Sequence, residues 1–430
     1  MAGRIIFHID VNSAFLSWTA AYRVRVLGET FDLRTVPSVV AGDRESRHSI
    51  VLAKSGPAKR FGIQTGEPLG KARDKCPGLV VAEPDYGLYT AASRSLMALL
   101  RTVSPAVEQF SIDEAWADMT GTESLCGPPV LAAERLKNRI REELGFTVNI
   151  GISCNKLLAK MAGDFEKPDK VHTLFPPELP DKLWPLPAGE LFFVGRATED
   201  KLRLMGIRTI GQLAAADPVF LKQKLGRQGE TIWQFANGRD TGELQTVQPA
   251  NKGYGNSYTT PCDVTTRAFG RQVLLSLCET VGMRMRRDDW AGRCLAVHIR
   301  SNLFEESSRQ RQLPAATNGT DELYRAACAL FDELWDGATP LRQLGVQVTK
   351  LSRGEARQCS FFDPTDYERL GRLDAAVDAI RDKFGEDALL RATFLKSRVA
   401  SMEGGLGKDR RTGVTKPVKE ALSPLARIAP

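Results

Sequence analysis

The segment AVEQFSIDEAWADM, residues 106–119, decides how the first part of the chain folds. Apolar and polar residues alternate on both sides of its centre, which predicts a strand, a tight turn and a second strand. The turn carries two adjacent acidic side chains, Asp113 and Glu114, directly after the apolar Ile112. Because neighbouring carboxylates repel each other, secondary structure alone does not explain this placement.

A second segment, GRIIFHIDVNSAF at residues 3–15, contains another acidic residue, Asp10. Its β-branched, apolar run predicts a buried strand that ends at Asp10, followed by a helix from about residue 14 to 25. The helical spacing of YGLYTAASRSLMALLRTV, a helix after it and the strand FTVNIGIS complete a β-α-β-β-α-β order. We therefore predict a palm-like α/β sandwich built from residues 1–13 and 82–172, around an inserted segment at 14–81.

Three further regions follow the sandwich. Proline density rises from about residue 175, and residues 189–240 then predict short helices joined by glycine turns, whose exposed N–H groups suit phosphate oxygens. Residues 254–351 alternate between strands and helices as a separate α+β domain. Strands are predicted near 254–260, 294–301, 308–313 and 343–351, and helices at 267–287 and 321–335. Beyond 353 only DYERLGRLDAAVDAIRDKF predicts a helix, and the Gly/Pro/basic end is typical of disorder.

Composition excludes several classes of protein. A chain of 430 residues is long enough for several domains, and no apolar run approaches the about 18–20 residues that a bilayer span needs. The eight cysteines are scattered without zinc-site spacing, so reduced thiols in the cytoplasm are expected. The formal net charge of +7 suits a polyanionic partner such as nucleic acid, although many basic proteins bind none.

The acids predict a metal site. If Asp10 lies beside Asp113 and Glu114, three negative charges share one end of a sheet, and each raises the cost of ionising the next. A pair of Mg²⁺ ions about 3.5–4 Å apart would neutralise them and support in-line phosphoryl transfer. The alternative is an exposed turn whose acids are simply hydrated.

Five blocks of the sequence occur in a fixed order: HIDVNSAF, PAKRFGI, SIDEAW, GIS-NK-LAK-A-D--KP and LRLMGIRTIGQL. In their order and spacing they resemble the Y-family translesion DNA polymerases of the bacterial polymerase IV type. The resemblance implies a multidomain α/β and α+β right hand with a little-finger domain. Its predicted parts are the palm (1–13 and 82–172), fingers (14–81), thumb (173–241), linker (242–253), little finger (254–352) and C-terminal tail (353–430).

By this resemblance Asp10, Asp113 and Glu114 are the catalytic metal ligands for two Mg²⁺ ions, and the backbone carbonyl of Val11 adds a fourth oxygen. Asn12 stands where the family often has a second Asp that is not a ligand. The resemblance also assigns the incoming nucleotide to a group of residues around these acids. They are Asn12, Ser13, Ala14, Phe15, Lys59 and Lys167.

Phe15 aligns with the steric gate that excludes the 2′-hydroxyl of a ribonucleotide; the alternative is a core aromatic on the first helix. Lys167 matches the lysine that reaches the triphosphate. Gly56 and Lys59 replace the Tyr and Arg of a Y-x-x-R motif, which removes a planar bidentate donor and predicts weaker or differently oriented nucleotide binding. Arg60 and Lys54 are alternative carriers of that contact.

The resemblance extends to DNA and to a partner protein. The turns at FVGRA and LGRQG resemble helix-hairpin-helix motifs, with Phe193 where a first Gly is usual. Phosphate contacts are predicted for Arg284, Arg286, Arg287 and Arg300. A sliding-clamp motif is predicted at Gln358, Cys359, Ser360, Phe361 and Phe362, against the alternative of a strand end or a tether for the following helix.

The sequence therefore predicts a monomeric DNA-directed DNA polymerase that takes primer-template DNA and dNTPs and extends past damaged bases with low fidelity. One alternative is a non-catalytic DNA-repair scaffold that keeps the fold and the clamp contact, although it leaves the intact acid set unexplained. Another is a nucleotide cyclase on a similar palm, which explains the acids but not the thumb-like turns, Phe15 or the tail.

Overall fold

The computed structural model describes residues 3–42, 49–247, 250–354, 365–395 and 397–403. The chain divides into two compact units, one formed by the described residues up to 247 and the other by those from 250 onwards. In these ranges no helix has both the length and the apolar character needed to cross a bilayer. The cysteines of the same ranges are all free thiols, as the sequence predicted.

The first unit contains eight strands and twelve α-helices within its described residues. In chain order they are β1 (Ile6–Val11), α1 (Ala14–Arg25), β2 (Ser38–Ala41), β3 (Val51–Lys54), α2 (Gly56–Arg60), α3 (Leu69–Lys75), β4 (Val80–Ala82), α4 (Tyr86–Arg101), β5 (Ala106–Gln109), β6 (Glu114–Asp118), α5 (Glu123–Cys126), α6 (Pro129–Leu144), β7 (Val148–Ser153), α7 (Lys156–Gly163), β8 (Val171–Thr173), α8 (Leu179–Lys182), α9 (Arg196–Leu204), α10 (Ile210–Ala215), α11 (Pro218–Leu225) and α12 (Arg227–Ala236).

Five of these strands form the main sheet, in the order β5-β6-β1-β7-β8. Neighbouring strands are antiparallel except β7 and β8, which run parallel. The chain order β1, α4, β5, β6, α6, β7 is the β-α-β-β-α-β arrangement that the sequence predicted. The fifth strand, β8, was not predicted.

Strand β1 is central and buried on both faces. Side chains alternate along a strand, so Phe7, Ile9 and Val11 enter the large apolar core on one side. His8 and Asp10 belong to the opposite face, where Ile6 packs against a residue of α7. Full burial of one large apolar side chain stabilises the fold by about 1.5–3 kcal/mol, so this strand anchors the acid at its end.

Helix α7 packs directly on the backbone of β7. A Cβ atom at Gly151 would lie 1.9 Å from the carbonyl oxygen of Ala159 and 2.3 Å from the backbone nitrogen of Gly163. Only glycine permits this approach without a shift of the helix. The close packing brings Lys160 of α7 to the strand edge that carries Glu114.

The inserted segment forms a small sheet in the order β3-β2-β4, with its own apolar core beneath α2 and α3. The helices after β8 share another core that includes Leu202, Ile210, Leu221 and Ile232. All of these parts belong to one compact unit, and the boundaries of palm, fingers and thumb therefore stay a prediction.

The second unit begins with a four-stranded antiparallel sheet and its helices. The elements are β9 (Gly253–Val264), α13 (Arg267–Arg287), β10 (Ala291–Ser301), β11 (Glu306–Thr317), α14 (Thr320–Leu334), β12 (Leu341–Ser352) and α15 (Tyr367–Phe384). The sheet order is β11-β10-β12-β9. Every predicted element is present, and β11 extends well beyond the predicted 308–313 because its exposed polar residues carry little apolar alternation.

Helix α15 packs against α13 rather than standing alone. Arg286 Nε lies 2.6 Å from a carboxylate oxygen of Asp378, and its Nη1 lies 3.3 Å from Asp374. Deeper in the same unit, Arg381 Nη2 is 3.2 Å from Glu279 Oε1, with both side chains 3% exposed. The described part of the predicted tail is therefore built into the second unit, while the predicted disordered end lies outside the described residues.

Candidate active site

The pairing of β1 with β6 brings the three predicted acids to one edge of the sheet. Asp10 is directly opposite Glu114 in the antiparallel register. The backbone N–H of Val11 donates to the carbonyl oxygen of Asp113 at 3.1 Å. The separation of about a hundred residues in sequence thus disappears in the fold, as the two strand ends predicted.

Ser111 stabilises the turn that carries the adjacent acids. Its hydroxyl donates to Asp113 Oδ1 at 2.7 Å and accepts from the backbone N–H of Glu114 at 3.0 Å. A serine side chain that bonds to the backbone two or three residues on fixes a tight turn. Ser111 therefore orients Asp113.

Two lysines neutralise the other two carboxylates. Lys167 forms ion pairs with Asp10 and, at 2.8 Å, with Asp164. Lys160 Nζ lies 2.6 Å from Glu114 Oε2, and the buried His8 Nε2 lies 3.4 Å from the same oxygen. Each carboxylate thus has a cationic or hydrogen-bonding partner.

The surroundings of the acids change their ionisation. Burial raises the pKa of Asp10 above its ordinary value, and the charge of Lys167 only partly offsets that effect. For Glu114 burial acts in the same direction, but hydrogen bonds from His8 and Lys160 outweigh it and lower the pKa to about 2. Burial disfavours the charged form of Lys167, whereas Asp10 and Asp164 more than compensate and raise its pKa. The edge therefore binds positive charge strongly.

The donor set fits Mg²⁺. In the described ranges no group of three or more His, Cys, Asp and Glu side chains is gathered as a metal cage, and Asp10 and Glu114 pair with Lys167 and Lys160. The oxygens available where β1 ends and β6 begins are carboxylates of adjacent strands and backbone carbonyls, the hard ligands that Mg²⁺ takes.

The residues after β1 form a tight corner beside the acids. Asn12 donates from its backbone to Thr147 O at 3.1 Å, and its buried Oδ1 has no hydrogen-bond partner among the residues that the structure describes. Ser13 has a left-handed backbone, with φ 49°, and Ala14 begins α1. The ring of Phe15 is partly exposed and stacks on Tyr89 at a centroid distance of 4.4 Å. Phe15 is thus both a core aromatic on one face and a candidate gate.

The fingers lysines differ in their surroundings. Lys59 and Arg60 are exposed at the end of α2, and among the described residues no contact joins Lys59 to the acids. Lys54 donates to the carbonyl oxygen of Ile63 at 2.5 Å, and burial lowers its pKa. Lys54 is therefore used within the fold, and of the three cations it is the least suited to a phosphate.

The residues predicted to contact DNA differ in their surroundings. Phe193 adopts a left-handed backbone, with φ 74°, at the position where a glycine was expected, and its carbonyl accepts from Gln228 at 2.8 Å. Arg284 is exposed, with its guanidinium 5.6 Å from the ring centroid of Tyr254. Arg300 pairs with Glu306 of the next strand.

Two other predicted phosphate contacts bind acids of α15 instead. Arg287 pairs with Asp382. Arg286, only 13% exposed, pairs with two aspartates, so the prediction that it contacts a phosphate is not supported. The predicted clamp motif, Gln358, Cys359, Ser360, Phe361 and Phe362, lies outside the described residues.

Two residues beside the acids of β1 and β6 were not predicted from the sequence. His8 contacts Glu114, and Asp164 shares Lys167 with Asp10. The spacing of His8 two residues before Asp10 could have placed both on one face of the strand. No comparable signal identified Asp164, because its contact depends on the course of the chain after α7.

Comparison with known proteins agrees with this geometry. Three family models match: the impB/mucB/samB family over residues 9–164, its C-terminal domain over 251–361, and the DNA polymerase-iota thumb domain over 190–240. A solved chimeric Y-family DNA polymerase superimposes with a TM-score of 0.69 at 22% identity, covering 81% of this chain and 99% of that one. The fold is that of the Y-family DNA polymerases.

Curated relatives identify the branch. DNA polymerase IV of Clostridium acetobutylicum is 44% identical, covering 91% of this chain and 98% of the relative. DNA polymerase IV of Acetivibrio thermocellus is 36% identical, covering 92% of this chain and 98% of the relative. DNA polymerase IV 2 of Bacillus subtilis is 35% identical, covering 94% of this chain and 97% of the relative. The chain belongs to the DNA polymerase IV family. It is a DNA-directed DNA polymerase of the translesion type, and the non-catalytic scaffold is not favoured.

Proposed function

We propose that Asp10, Asp113 and Glu114, with the backbone carbonyl of Val11, hold two Mg²⁺ ions at the edge of β1 and β6. The observation that carries the proposal is the register that sets Asp10 opposite Glu114, with Val11 bonded to Asp113. When bound, such ions would lower the pKa of the primer 3′-hydroxyl, whose proton passes to water, and would neutralise the charge of the leaving pyrophosphate. The hydroxyl oxygen then forms a bond to the α-phosphorus of a dNTP as the bond to pyrophosphate breaks.

The protein's own residues orient the reactants. Lys167 is suited to the triphosphate because its side chain is 36% exposed and already lies against Asp10, so it has only to exchange one anion for another. Phe15 is suited to the sugar, because its partly exposed ring lies in the first turn of α1, five residues after Asp10 in the chain, and is held by stacking on Tyr89 of α4. The exposed Lys59 and Arg60 of the fingers provide further positive charge for the triphosphate.

Primer-template DNA is proposed to lie on the polar face of the second unit's sheet as well as against the thumb. That face contains an open groove of about 720 Å³. Most of its lining residues are polar, and they include Asn256, Ser257, His298, Arg300, Glu306, Gln343 and Gln347; Gly255 and Gly345 also line it. Backbone contacts of this kind weaken steeply with salt and show little sequence preference.

We propose that the protein acts as a monomer, because all the proposed metal ligands come from one chain. We also propose that it acts in the cytoplasm, where the bacterial chromosome lies. A test of the site is primer extension with Mg²⁺. Asp113→Asn should abolish extension, whereas the control Asp118→Asn, at the other end of β6, should leave it intact. Full activity of Asp113→Asn, or ATP or GTP turnover without DNA, would contradict the proposal.

We further propose that Gln358, Cys359, Ser360, Phe361 and Phe362 bind the sliding clamp. The support is the resemblance of RQCSFF to the clamp motif, which anchors a Gln and large apolar side chains in a preformed pocket. Replacing Phe361 and Phe362 with Ala should remove clamp binding in a pulldown. A matched control is Phe384→Ala at the end of α15, where the ring is 67% exposed. Equal pulldown by both variants would refute the assignment.

A further inference from the structure

Lys160 lies in a cage that the catalytic chemistry described above does not use. Its side chain is 10% exposed, and its Nζ is 2.6 Å from Glu114 Oε2. The same Nζ lies 5.6 Å from the ring centroid of Phe110 and 5.3 Å from that of Phe192. The ammonium group therefore has a carboxylate and two aromatic rings around it.

The two rings come from distant parts of the chain. Phe110 follows β5 immediately before the acidic turn, whereas Phe192 belongs to the segment that leads into α9. The rings meet edge to face with centroids 6.2 Å apart. The backbone N–H of Phe192 also donates to Met161 Sδ at 3.4 Å, one residue after Lys160. The segment before α9 is thus fastened to α7 at the lysine itself.

This environment restricts what Lys160 can do. A cation that faces aromatic rings is attracted to them, more strongly when it is shielded from water, and its attraction to a nearby carboxylate is strengthened in the same way. Leaving the cage for a substrate phosphate would give up both interactions. Lys167, by contrast, is 36% exposed and contacts two carboxylates without a ring among its described partners.

We propose that Lys160 is a positioning residue that fixes the Glu114 carboxylate, and that Phe192 makes this orientation depend on the docking of the segment before α9. The inference rests on the proposed function of Glu114 as a metal ligand. Groups that orient a metal ligand change metal affinity or activity by roughly 10–100-fold when removed, without touching the substrate.

The test uses the full chain with two variants. Lys160→Met keeps a side chain of similar length and removes the positive charge, whereas Lys160→Arg keeps a positive charge at this position. Lys160→Met should lower kcat by about 10-fold or more and weaken Mn²⁺ binding measured by electron paramagnetic resonance without DNA. The KM for dNTP should change less than about 2-fold, and Lys160→Arg should recover part of both losses. The matched control is Lys156→Met, one turn earlier on α7, where the ammonium pairs with Glu108.

A raised KM with unchanged kcat, or unchanged Mn²⁺ binding in Lys160→Met, would overturn the inference, as would equal losses in Lys156→Met. If Lys160→Met fails to fold, Phe192→Leu decides, because it removes the ring and keeps apolar volume: about a 3-fold loss of Mn²⁺ affinity supports the inference, and none overturns it. The proposed function fails separately, if Asp113→Asn binds Mn²⁺ and extends primers as the parent does.

Discussion

The buried ion pair between α13 and α15 allows a quantitative prediction for Arg381→Met. Glu279 and Arg381 are each 3% exposed, so removal of the guanidinium leaves a carboxylate in a site that water hardly reaches. Breaking one partner of a buried pair costs about 3–5 kcal/mol. Arg391 at 3.2 Å and the Ser401 hydroxyl at 2.6 Å still contact Glu279, which favours the lower end, about 3 kcal/mol.

The assay is denaturant unfolding of the full chain, with hydrogen exchange to locate the loss in α13 rather than in the first unit. The double variant Glu279→Met/Arg381→Met should recover most of the stability, because apolar residues of similar volume often replace a buried pair without cost. Arg372→Met, an exposed position on α15, is the matched control and should change the free energy of unfolding by less than about 0.5 kcal/mol. A loss under about 1 kcal/mol for Arg381→Met, or a double variant less stable than the single one, would refute the reasoning.

Three further predictions concern the first unit. Gly151→Ala should destabilise it by about 2 kcal/mol or more in thermal or denaturant unfolding, because the new Cβ would overlap the carbonyl oxygen of Ala159, and a stability equal to that of the parent would contradict the packing of α7 on β7. Ser111→Ala should cost about 1 kcal/mol and lower kcat in primer extension, since the turn loses its hydrogen bond to Asp113; an unchanged kcat would show that Ser111 does not orient that acid. Phe15→Ala should raise ribonucleotide incorporation relative to dNTP, and equal discrimination in variant and parent would remove the steric-gate assignment.

Much of the fold was predictable because local patterns and long-range contacts agree. The helix predicted at 267–287 has those bounds in the structure, where Thr266 caps its first turn. The convergence of Asp10 with Asp113 and Glu114 was predictable because each lies at the end of a strand of one sheet.

The rest depends on contacts that no local pattern carries. Arg286 appeared to be a phosphate contact among other arginines, but its partners lie about ninety residues further along the chain, on α15. The cage of Lys160 likewise joins residues of α7 and β6 to two rings from connecting segments, and β8 is only three residues long. Short strands and side-chain pairs between distant segments are set by packing, which periodicity does not report.

The attachment of α15 to α13 affects both the positive charge available to DNA and the stability of the second unit. Arg286 and Arg287 hold aspartates of the same chain, so counting arginines overstates the positive surface available to nucleic acid. A chain that ends before Tyr367 would expose both guanidinium groups and would leave Glu279 without its buried counterion Arg381. Such a fragment should bind DNA more tightly than the whole chain and should unfold at a lower temperature.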